Sequence, residues 1–556
     1  MANRKKRNTV RLTDNDGINQ LLNNVVSSVK DFTEEQLKKI KSLTQIGEAL
    51  SAEHDIDRLL EMIIEEAKKF TNADGGTLYI MSDDEKRLHF AIVQNDSLKI
   101  RMGGTAGKIT WEPVELYNND ETLNCSNVSS YAAISGEVVN ISDVYHAKQF
   151  NFEGTRRFDS ETNYRSQSML VVPMRNHEND IIGILQLLNA RDKEKKKTIP
   201  FSAECQELTE SLASQAAIAL TNKRLIKDLQ NLFESFVKTI ATAIDEKSHY
   251  TGDHVRRVVE LTILIAGRIN KTKKGPFKET FFNKDQMNEL RISAWLHDVG
   301  KVAISEHVMD KSRKLKTVYD RIELLKTRFE IIKRDIEINR CKKEGSKTDF
   351  PDADISIEAD RAEIRKLEED YNFLNAINQG AEFMSEESIK RVEDIAGRKW
   401  IMSGEPQNLL TDDEIQNLNI RKGTLTDEER TIINSHAAIT FKMLSQMPFP
   451  KKLKNVPVYA SSHHECLNGT GYPLGLKGDE ISLQARILAL ADVFEALTAR
   501  NRPYREGNTL SQAIKILGSM VKDNQLDPDL FDLFIEKKIY LEYAGKELDT
   551  SQIDLQ

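Results

Sequence analysis

The chain has 556 residues, of which 39% are apolar and 30% charged, with 26 Gly, 12 Pro and a formal net charge of -8. At roughly 100 to 200 residues per domain this length holds about two to four domains, and the composition is globular rather than collagen-like or disordered. The acidic balance argues against polymeric nucleic acid as a partner, because binding to a phosphate backbone depends on an excess of Lys and Arg.

No apolar run reaches the ~18 to 20 residues of a membrane helix, and the basic start, MANRKKRNTV, lacks the apolar stretch of a secretory signal. The expectation is a cytoplasmic protein with no membrane partner. Cys125, Cys205, Cys341 and Cys466 stand far apart without CxxC spacing, so neither a disulfide framework nor a zinc ribbon is indicated. They are expected to be small buried apolar residues.

Residues 1–37 are polar and mixed in charge and read as a weakly ordered leader. From Gln36 to about Ala67 apolar residues recur at helical spacing. Then GGTLYI (Gly75 to Ile80), LHFAIV (Leu88 to Val93), MLVVPM (Met169 to Met174) and IIGILQLLNA (Ile181 to Ala190) read as strands, making an α+β unit that ends near Leu220. After Phe201 one long helix, assigned to 204–246, runs without Gly or Pro, with Leu225, Leu229, Leu232, Phe236 and Ile240 at spacings of 4, 3, 4 and 4. Such a helix can couple two domains and two subunits.

Beyond Asp245 the pattern is all-α, with helices at 255–270, 286–299, 427–446, 482–499 and 509–522. One stretch, 316–424, interrupts it. Val318, Ile322, Leu325, Phe329, Ile332 and Ile336 keep a 4, 3, 4, 3, 4 spacing, and Ile364, Leu367, Tyr371 and Leu374 continue it after a break at 341–354, which predicts an inserted antiparallel helical hairpin. Packing of the arms on each other is its plain role; a dimer contact or a gate over a cleft are the alternatives.

Of 11 histidines, seven lie between His249 and His464. His297 and Asp298 close the apolar helix QMNELRISAWL, Gly300 offers a helix stop, and Lys301 follows three positions after the Asp. An adjacent imidazole and carboxylate suit two neighbouring ions, one bound by the His and both bridged by the Asp, yet such a pair is common in ordinary helices. A second cluster changes the odds: His463 and His464 stand together ahead of a Gly-rich segment, with Asp492 on a later helix. His249 and His307, near these motifs, read as ordinary surface or partly buried residues.

These residues carry a resemblance. Residues 236–535 resemble an HD-GYP domain, a family of metal-dependent phosphohydrolases that open cyclic dinucleotides, through YTGDHVRRV at 250–258, HDVGKVAIS at 297–305 and HHECLNGTGYP at 463–473. The resemblance implies metal ligands at His254, His297, Asp298, His436, His463, His464 and Asp492, with Asp298 and Lys301 catalytic. It also implies that Lys301, Arg502 and Arg505 meet substrate phosphate. Gly471, Tyr472 and Pro473 are expected to bend around the substrate, Tyr472 packing near a guanine, or to form a turn of purely structural use.

On this resemblance two octahedral ions offer about twelve coordination positions; five imidazoles, a bridging Asp298 and Asp492 fill about eight, and a bridging hydroxide two more. Imidazole and carboxylate without thiolate suit iron or manganese. Glu465 is read either as a partner that orients a ligand histidine or as a surface charge. The chain departs from the family pattern at Asn468, where many members carry Asp, at Thr440, where many carry Gly, and in one extra residue between Asp492 and RPYR. Where some members place a third-metal Glu, Tyr250 stands, with Glu246 the nearest Glu, so two ions are expected.

Residues 38–222 resemble a GAF domain through FTNADGGTLYI, SGEVVNISDVY at 135–145, FNFEGTRRFD at 150–159 and the strand ending at Asn189. The middle segments look most like modules that bind cyclic nucleotides, although the binding signature is incomplete at Ala190 and Cys205. A ligand sensor and a ligand-free dimerisation module both remain open. Residues 536–556 read as a tail. The combined expectation is a multidomain homodimer, an α+β GAF domain followed by an all-α HD-GYP domain, that hydrolyses cyclic di-GMP to pGpG under GAF control, with further cleavage to GMP left open. The alternatives are another cyclic dinucleotide such as cyclic GMP-AMP, a simpler nucleotide phosphohydrolase, or a binding protein marked by loss of metal ligands, a mark that is absent.

Overall fold

The computed structural model describes residues 16–53, 55–192, 194–195, 197–247, 253–344, 353–380, 383–500 and 507–555. It divides into two compact units at Asn231/Leu232, a boundary that falls inside one continuous helix.

The first unit opens with α1 (Asp16–Ala52) and α2 (Ile56–Thr71), followed by β1 (Ala73–Met81), β2 (Arg87–Asn95), β3 (Ile100–Gly103), β4 (Val114–Glu115), α3 (Val128–Ser135), β5 (Val139–Ile141), α4 (Glu153–Thr162), β6 (Met169–Arg175), β7 (Ile181–Arg191), β8 (Thr198–Ile199) and α5 (Ala203–Lys247). The strands form one antiparallel sheet in the order β3-β2-β1-β7-β6-β5, with β4 on β2 and β8 on β7. Successive side chains of a strand face opposite ways, and the sequence uses both faces. Leu170, Val172, Met174, Leu185 and Leu187 bury against α1, α2 and α5, whereas Met169, Val171 and Ile184 bury against α3 and the segment from Ile141 to Phe152. A one-residue slip in register would exchange these two cores.

The four long strands follow the sequence pattern. The helix, however, reaches back to Asp16, so residues 16–37 are helical rather than weakly ordered. Their signal is an apolar stripe, Ile18, Leu22, Val25, Val29 and Phe32, at helical spacing and exposed to solvent.

The second unit begins with the last part of α5, whose Val237 and Ile244 bury against α7 and α14 in one core. It continues with α6 (His254–Lys271), α7 (Lys284–Leu296), α8 (Glu306–Met309), α9 (Ile322–Glu344), α10 (Ala353–Asn378), α11 (Glu386–Ala396), β9 (Lys399–Met402), β10 (Glu405–Asn408), α12 (Asp412–Leu418), α13 (Asp427–Leu444), α14 (Val456–Ser461), α15 (Leu483–Thr498), α16 (Leu510–Lys522), α17 (Pro528–Glu536) and α18 (Ile539–Glu547). A larger core joins α6, α7 and α15 to α18. The end of the chain is therefore no tail. Ile539, Tyr540, Tyr543 and Ala544 bury in that core, and buried Gln552 donates to the carbonyls of Thr498 and Asn508.

The inserted segment is more than a hairpin. Helices α9 and α10 lie against each other, with the rings of Phe329 and Tyr371 5.8 Å apart. Helical structure starts at Ile322, leaving Val318 exposed before it. Three further elements, α11, a β9–β10 hairpin and α12, add Val392, Ile395, Leu409, Leu410 and Leu418 to a core separate from the rest of the unit. The small sheet also interrupts an otherwise helical half. Ser403 and Gly404, both left-handed, supply the tight turn that joins its strands.

None of the four cysteines is buried: Cys125 and Cys341 are exposed, and Cys205 and Cys466 partly so. Their isolation in the sequence says nothing about burial, and Cys205 packs at the margin of the first unit's core. Among the described residues no helix is long and apolar enough to cross a membrane.

Candidate metal centre

The second unit brings seven predicted ligands, from five separate places in the chain, to one buried point. His254 opens α6, His297 caps the C-terminus of α7 with Asp298 next to it, His436 sits inside α13, His463 and His464 follow α14, and Asp492 lies within α15. His254, His297, Asp298, His436, His463 and Asp492 are all buried, and His464 is partly so.

Four imidazoles are aimed by their own Nδ1 atoms. The Nδ1–H of His297 donates to the Ala294 carbonyl at 2.8 Å, that of His436 to Ile433 at 2.6 Å and that of His463 to Ala460 at 2.6 Å. Each acceptor lies three residues earlier, so local helical geometry fixes both the tautomer and the ring direction. His254 instead donates Nδ1–H to the Glu495 carboxylate. All four therefore present Nε2 to the centre.

Asp298 divides the centre into two halves. Its Oδ2 faces Nε2 of His297 at 3.3 Å and of His254 at 3.6 Å, while its Oδ1 faces Nε2 of His436 at 3.5 Å and of His463 at 3.9 Å. Asp492 joins the first half, its Oδ1 3.3 Å from His254 Nε2 and 3.8 Å from His297 Nε2. His464 joins the second, where the donor atoms of His436, His463 and His464 lie within 4.8 Å of one another. Nε2 of His297, His436 and His463 and Oδ1 of Asp298 are buried without a hydrogen-bond partner. Leaving four such atoms unpaired costs about 1 to 3 kcal/mol each. Cations among these nitrogen and oxygen donors would satisfy them, so the residues fit a metal centre, with Asp298 able to serve both halves.

The electrostatics follow the same division. Although burial opposes the charge on His254 and His297, the carboxylates around them prevail; His254 is held protonated well above its usual range, and His297 is raised to about 9. Asp298 and Asp492 resist burial in turn and stay ionised well below the carboxylate range, Asp298 through His297 and Lys301 and Asp492 through the neighbouring His254 and His297. In the other half burial dominates, lowering His436, pushing His463 far down, and bringing His464 to about 4. Those three rings are neutral and ready to donate lone pairs.

Lys301, read as a phosphate contact, places Nζ 2.6 Å from Asp298 Oδ2. It lies on the short 3-10 turn Val299–Ala303 that follows Asp298. Gly300 in that turn is no helix stop, since α7 has already ended at Leu296. A Cβ there would lie 2.0 Å from the His436 carbonyl, so glycine is what allows α13 to approach. Thr440, a departure from the family pattern, fastens the same contact by accepting from Gly300 N at 2.9 Å and donating to the His297 carbonyl at 3.1 Å.

Glu465 neither orients a histidine nor faces solvent. It is buried, and its two oxygens accept the backbone N–H groups of Leu474 and Leu476 at 2.7 and 2.9 Å. It pins the segment in which Tyr472 packs 4.8 Å, ring to ring, from His464. Gly471 has no room for a side chain, a Cβ there lying 2.3 Å from Cys466 N, and Tyr472–Pro473 is a cis peptide. Asn468 ties the same loop to the Asp523 carbonyl at 2.8 Å. His307 is exposed; His249, Tyr250, Arg502 and Arg505 lie outside the described residues.

Two contributors escaped the sequence reading. Glu495 is buried and holds both His254 and Arg257, the latter at 2.7 Å. A signal existed: Glu495 lies three residues after Asp492 and Arg257 three after His254, on the same faces of α15 and α6. Asp245, rather than Glu246, is the carboxylate near the ligands; it accepts from Val255 N at 3.3 Å, and burial raises it to about 6. Glu495→Gln should leave the fold intact yet weaken metal affinity about 10- to 100-fold, read by titration of the metal-free protein. An unchanged affinity would assign Glu495 to packing alone.

In the first unit Asp159 is buried and accepts from Tyr145 Oη at 2.8 Å, with Arg165 over the Tyr145 ring. Asn189 accepts from Gln167 N at 2.7 Å and donates to the Tyr164 hydroxyl and the Arg165 carbonyl. Asn189 thus has a structural use, while the gaps in the binding signature fall at Ala190 and Cys205.

A GAF domain model matches residues 55–220, and an HD domain model matches residues 411–530. The second match contains His436, His463, His464 and Asp492; His254, His297 and Asp298 precede it, on the other side of the inserted segment. A 3'3'-cGAMP-specific phosphodiesterase 3 of Vibrio cholerae is 40% identical over 112 residues, covering 20% of this chain and 23% of that protein. A probable cyclic di-GMP phosphodiesterase of the same organism is 37% identical over 144 residues, covering 24% and 31%. The chain thus matches less than a third of the length of either relative. The GAF domain of an Acinetobacter phosphoenolpyruvate-protein phosphotransferase aligns at 12% identity and a TM-score of 0.26, covering 34% of this chain and 98% of that one.

Proposed function

From a chain that joins a GAF domain to an HD domain, we propose a metal-dependent phosphodiesterase that opens cyclic di-GMP to pGpG. The observation that carries the reading is Asp298, whose two oxygens face separate groups of unpaired imidazole nitrogens. Two divalent ions, iron or manganese, fit this division: His254, His297, Asp298 and Asp492 would hold one, and Asp298, His436, His463 and His464 the other. Bound there, such ions supply an activated water and neutralise charge developing on phosphorus oxygens.

The chain's own groups do the rest. The Lys301 ammonium, beside Asp298, would hold a phosphate oxygen, and the Tyr472 ring against His464 would offer a flat wall for a base. Arg502 and Arg505 complete the phosphate grip in this reading. A cyclic nucleotide or similar small ligand is the proposed signal for the GAF domain, and the cytoplasm the proposed location. Exposed Leu225, Leu229, Leu232 and Phe236 on α5, in heptad spacing, support a homodimer through a second copy of this helix.

The test is direct. Protein loaded with iron or manganese should convert cyclic di-GMP to pGpG faster than it opens 3'3'-cGAMP, with products separated by chromatography. The cGAMP-specific relative makes the reverse preference the second reading. Turnover of neither by fully loaded protein would overturn both.

A further inference from the structure

Lys247 is the last residue of α5, and its ammonium turns away from that helix to the segment after the HD pair. Its Nζ donates to the carbonyls of Val302 at 2.6 Å, Ile304 at 2.7 Å and Lys301 at 3.3 Å. Val302 and Ile304 stand at the end of the 3-10 turn Val299–Ala303, where a helical turn leaves carbonyls without partners of its own, while the Lys301 carbonyl also accepts from Ile304 N. One cation gathers all three. The turn is short, and its internal backbone bonds include Lys301 N to Asp298 O at 2.9 Å and Ile304 N to Lys301 O at 3.1 Å. Its far side is fixed to α13 through Gly300 and Thr440. Lys247 is thus the fastening on the α5 side.

What the turn carries makes this fastening matter. Lys301 reaches Asp298 from it, so a shift of the turn moves the ammonium relative to the centre while the imidazoles, aimed by contacts in other helices, stay in place. We infer that Lys247 is a positioning residue that clamps the Val299–Ala303 turn and thereby holds Lys301 in register with the metal centre. The inference rests on the reading that this centre cleaves a phosphodiester. Lys247 is the last residue of α5, so the clamp ties the turn to the C-terminal end of that helix.

The experiment uses full-length, metal-loaded parent, Lys247→Met, Lys301→Ala and the double variant. Hydrogen exchange in the peptide 298–305 should be about tenfold or more faster in Lys247→Met, since a hydrogen-bonded charge has been removed, with metal content unchanged. Turnover of cyclic di-GMP should fall about 10- to 100-fold, in kcat rather than KM. In the Lys301→Ala background the same change should add little, because the two residues act as one device. Parent-like exchange in that peptide overturns the clamp, and faster exchange with parent-like kcat overturns its effect on Lys301. Additive losses in the double variant also overturn it.

Bis-p-nitrophenyl phosphate, a generic phosphodiester, separates this failure from failure of the substrate reading. A parent that cleaves it but neither cyclic dinucleotide refutes the substrate alone, and the cycle is then read on that compound. A parent that cleaves no phosphodiester refutes the function. The clamp is then judged by exchange and by inorganic phosphate affinity, which should drop in both single variants and not further in the double.

Discussion

Asp298→Ala is expected to abolish turnover of cyclic dinucleotides and to release metal, because one side chain faces both halves of the centre. Its Oδ1 and Oδ2 together meet four imidazoles, whereas among the described residues Asp492 pairs with His254 and His297. The loss has a second consequence in metal-free protein. The charges on His254, His297 and Lys301 are sustained against burial in part by Asp298. Removing one member of such a buried set typically costs about 3 to 5 kcal/mol, so the second unit should unfold at lower denaturant. The first unit, whose two cores contain none of these residues, should unfold as in the parent. Metal analysis, hydrolysis and denaturation followed separately in the two units check this. Substantial activity in Asp298→Ala would refute the shared-carboxylate centre.

Lys301→Ala should give the next largest effect and a different pattern. Lys301 is not among the donor groups, and Nε2 of His297, His436 and His463 keep their aim through backbone carbonyls that the substitution does not touch. Metal content should therefore stay near that of the parent. What disappears, on the proposed reading, is a positive charge that would stand beside the substrate phosphate, and comparable lost electrostatic donors cost about 10²- to 10³-fold in kcat, or about 2.7 to 4 kcal/mol. Lys301→Arg should restore part of the rate, since the charge returns with a different shape. If metal content collapses in Lys301→Ala, the residue serves to hold Asp298 and not substrate.

The two units differ in how far their roles can be read without coordinates. Strand periodicity placed the four long strands of the sheet, because one face of each had to be apolar toward α1, α2 and α5 and the other toward α3. The short strands β3, β4, β5 and β8 have too few residues to carry a period. Residues 16–37 were missed for another reason: their apolar stripe is diluted by polar neighbours, and only the continuous helix brings Ile18, Leu22, Val25, Val29 and Phe32 onto one side. Nothing in the apolar spacing along α9 and α10 announced α11, β9–β10 and α12, whose apolar residues matter only once those two helices offer them a surface.

At the metal centre the sequence by itself determined which side chains can bind a cation and that they occur in a recognisable order, since chemistry and spacing are local properties. It also determined the direction of three rings, because a histidine whose Nδ1 meets the carbonyl three residues earlier is aimed by its own helix. Only the tertiary structure decided what depends on separate segments meeting. The two faces of Asp298 and the Glu495 support of His254 are of this kind. So are the use of Glu465 to pin a loop, the need for Gly300 against α13, and the grip of Lys247 on the turn that bears Lys301. Each is a contact between residues distant in the chain, and its geometry is set by how helices pack rather than by the residues that flank it.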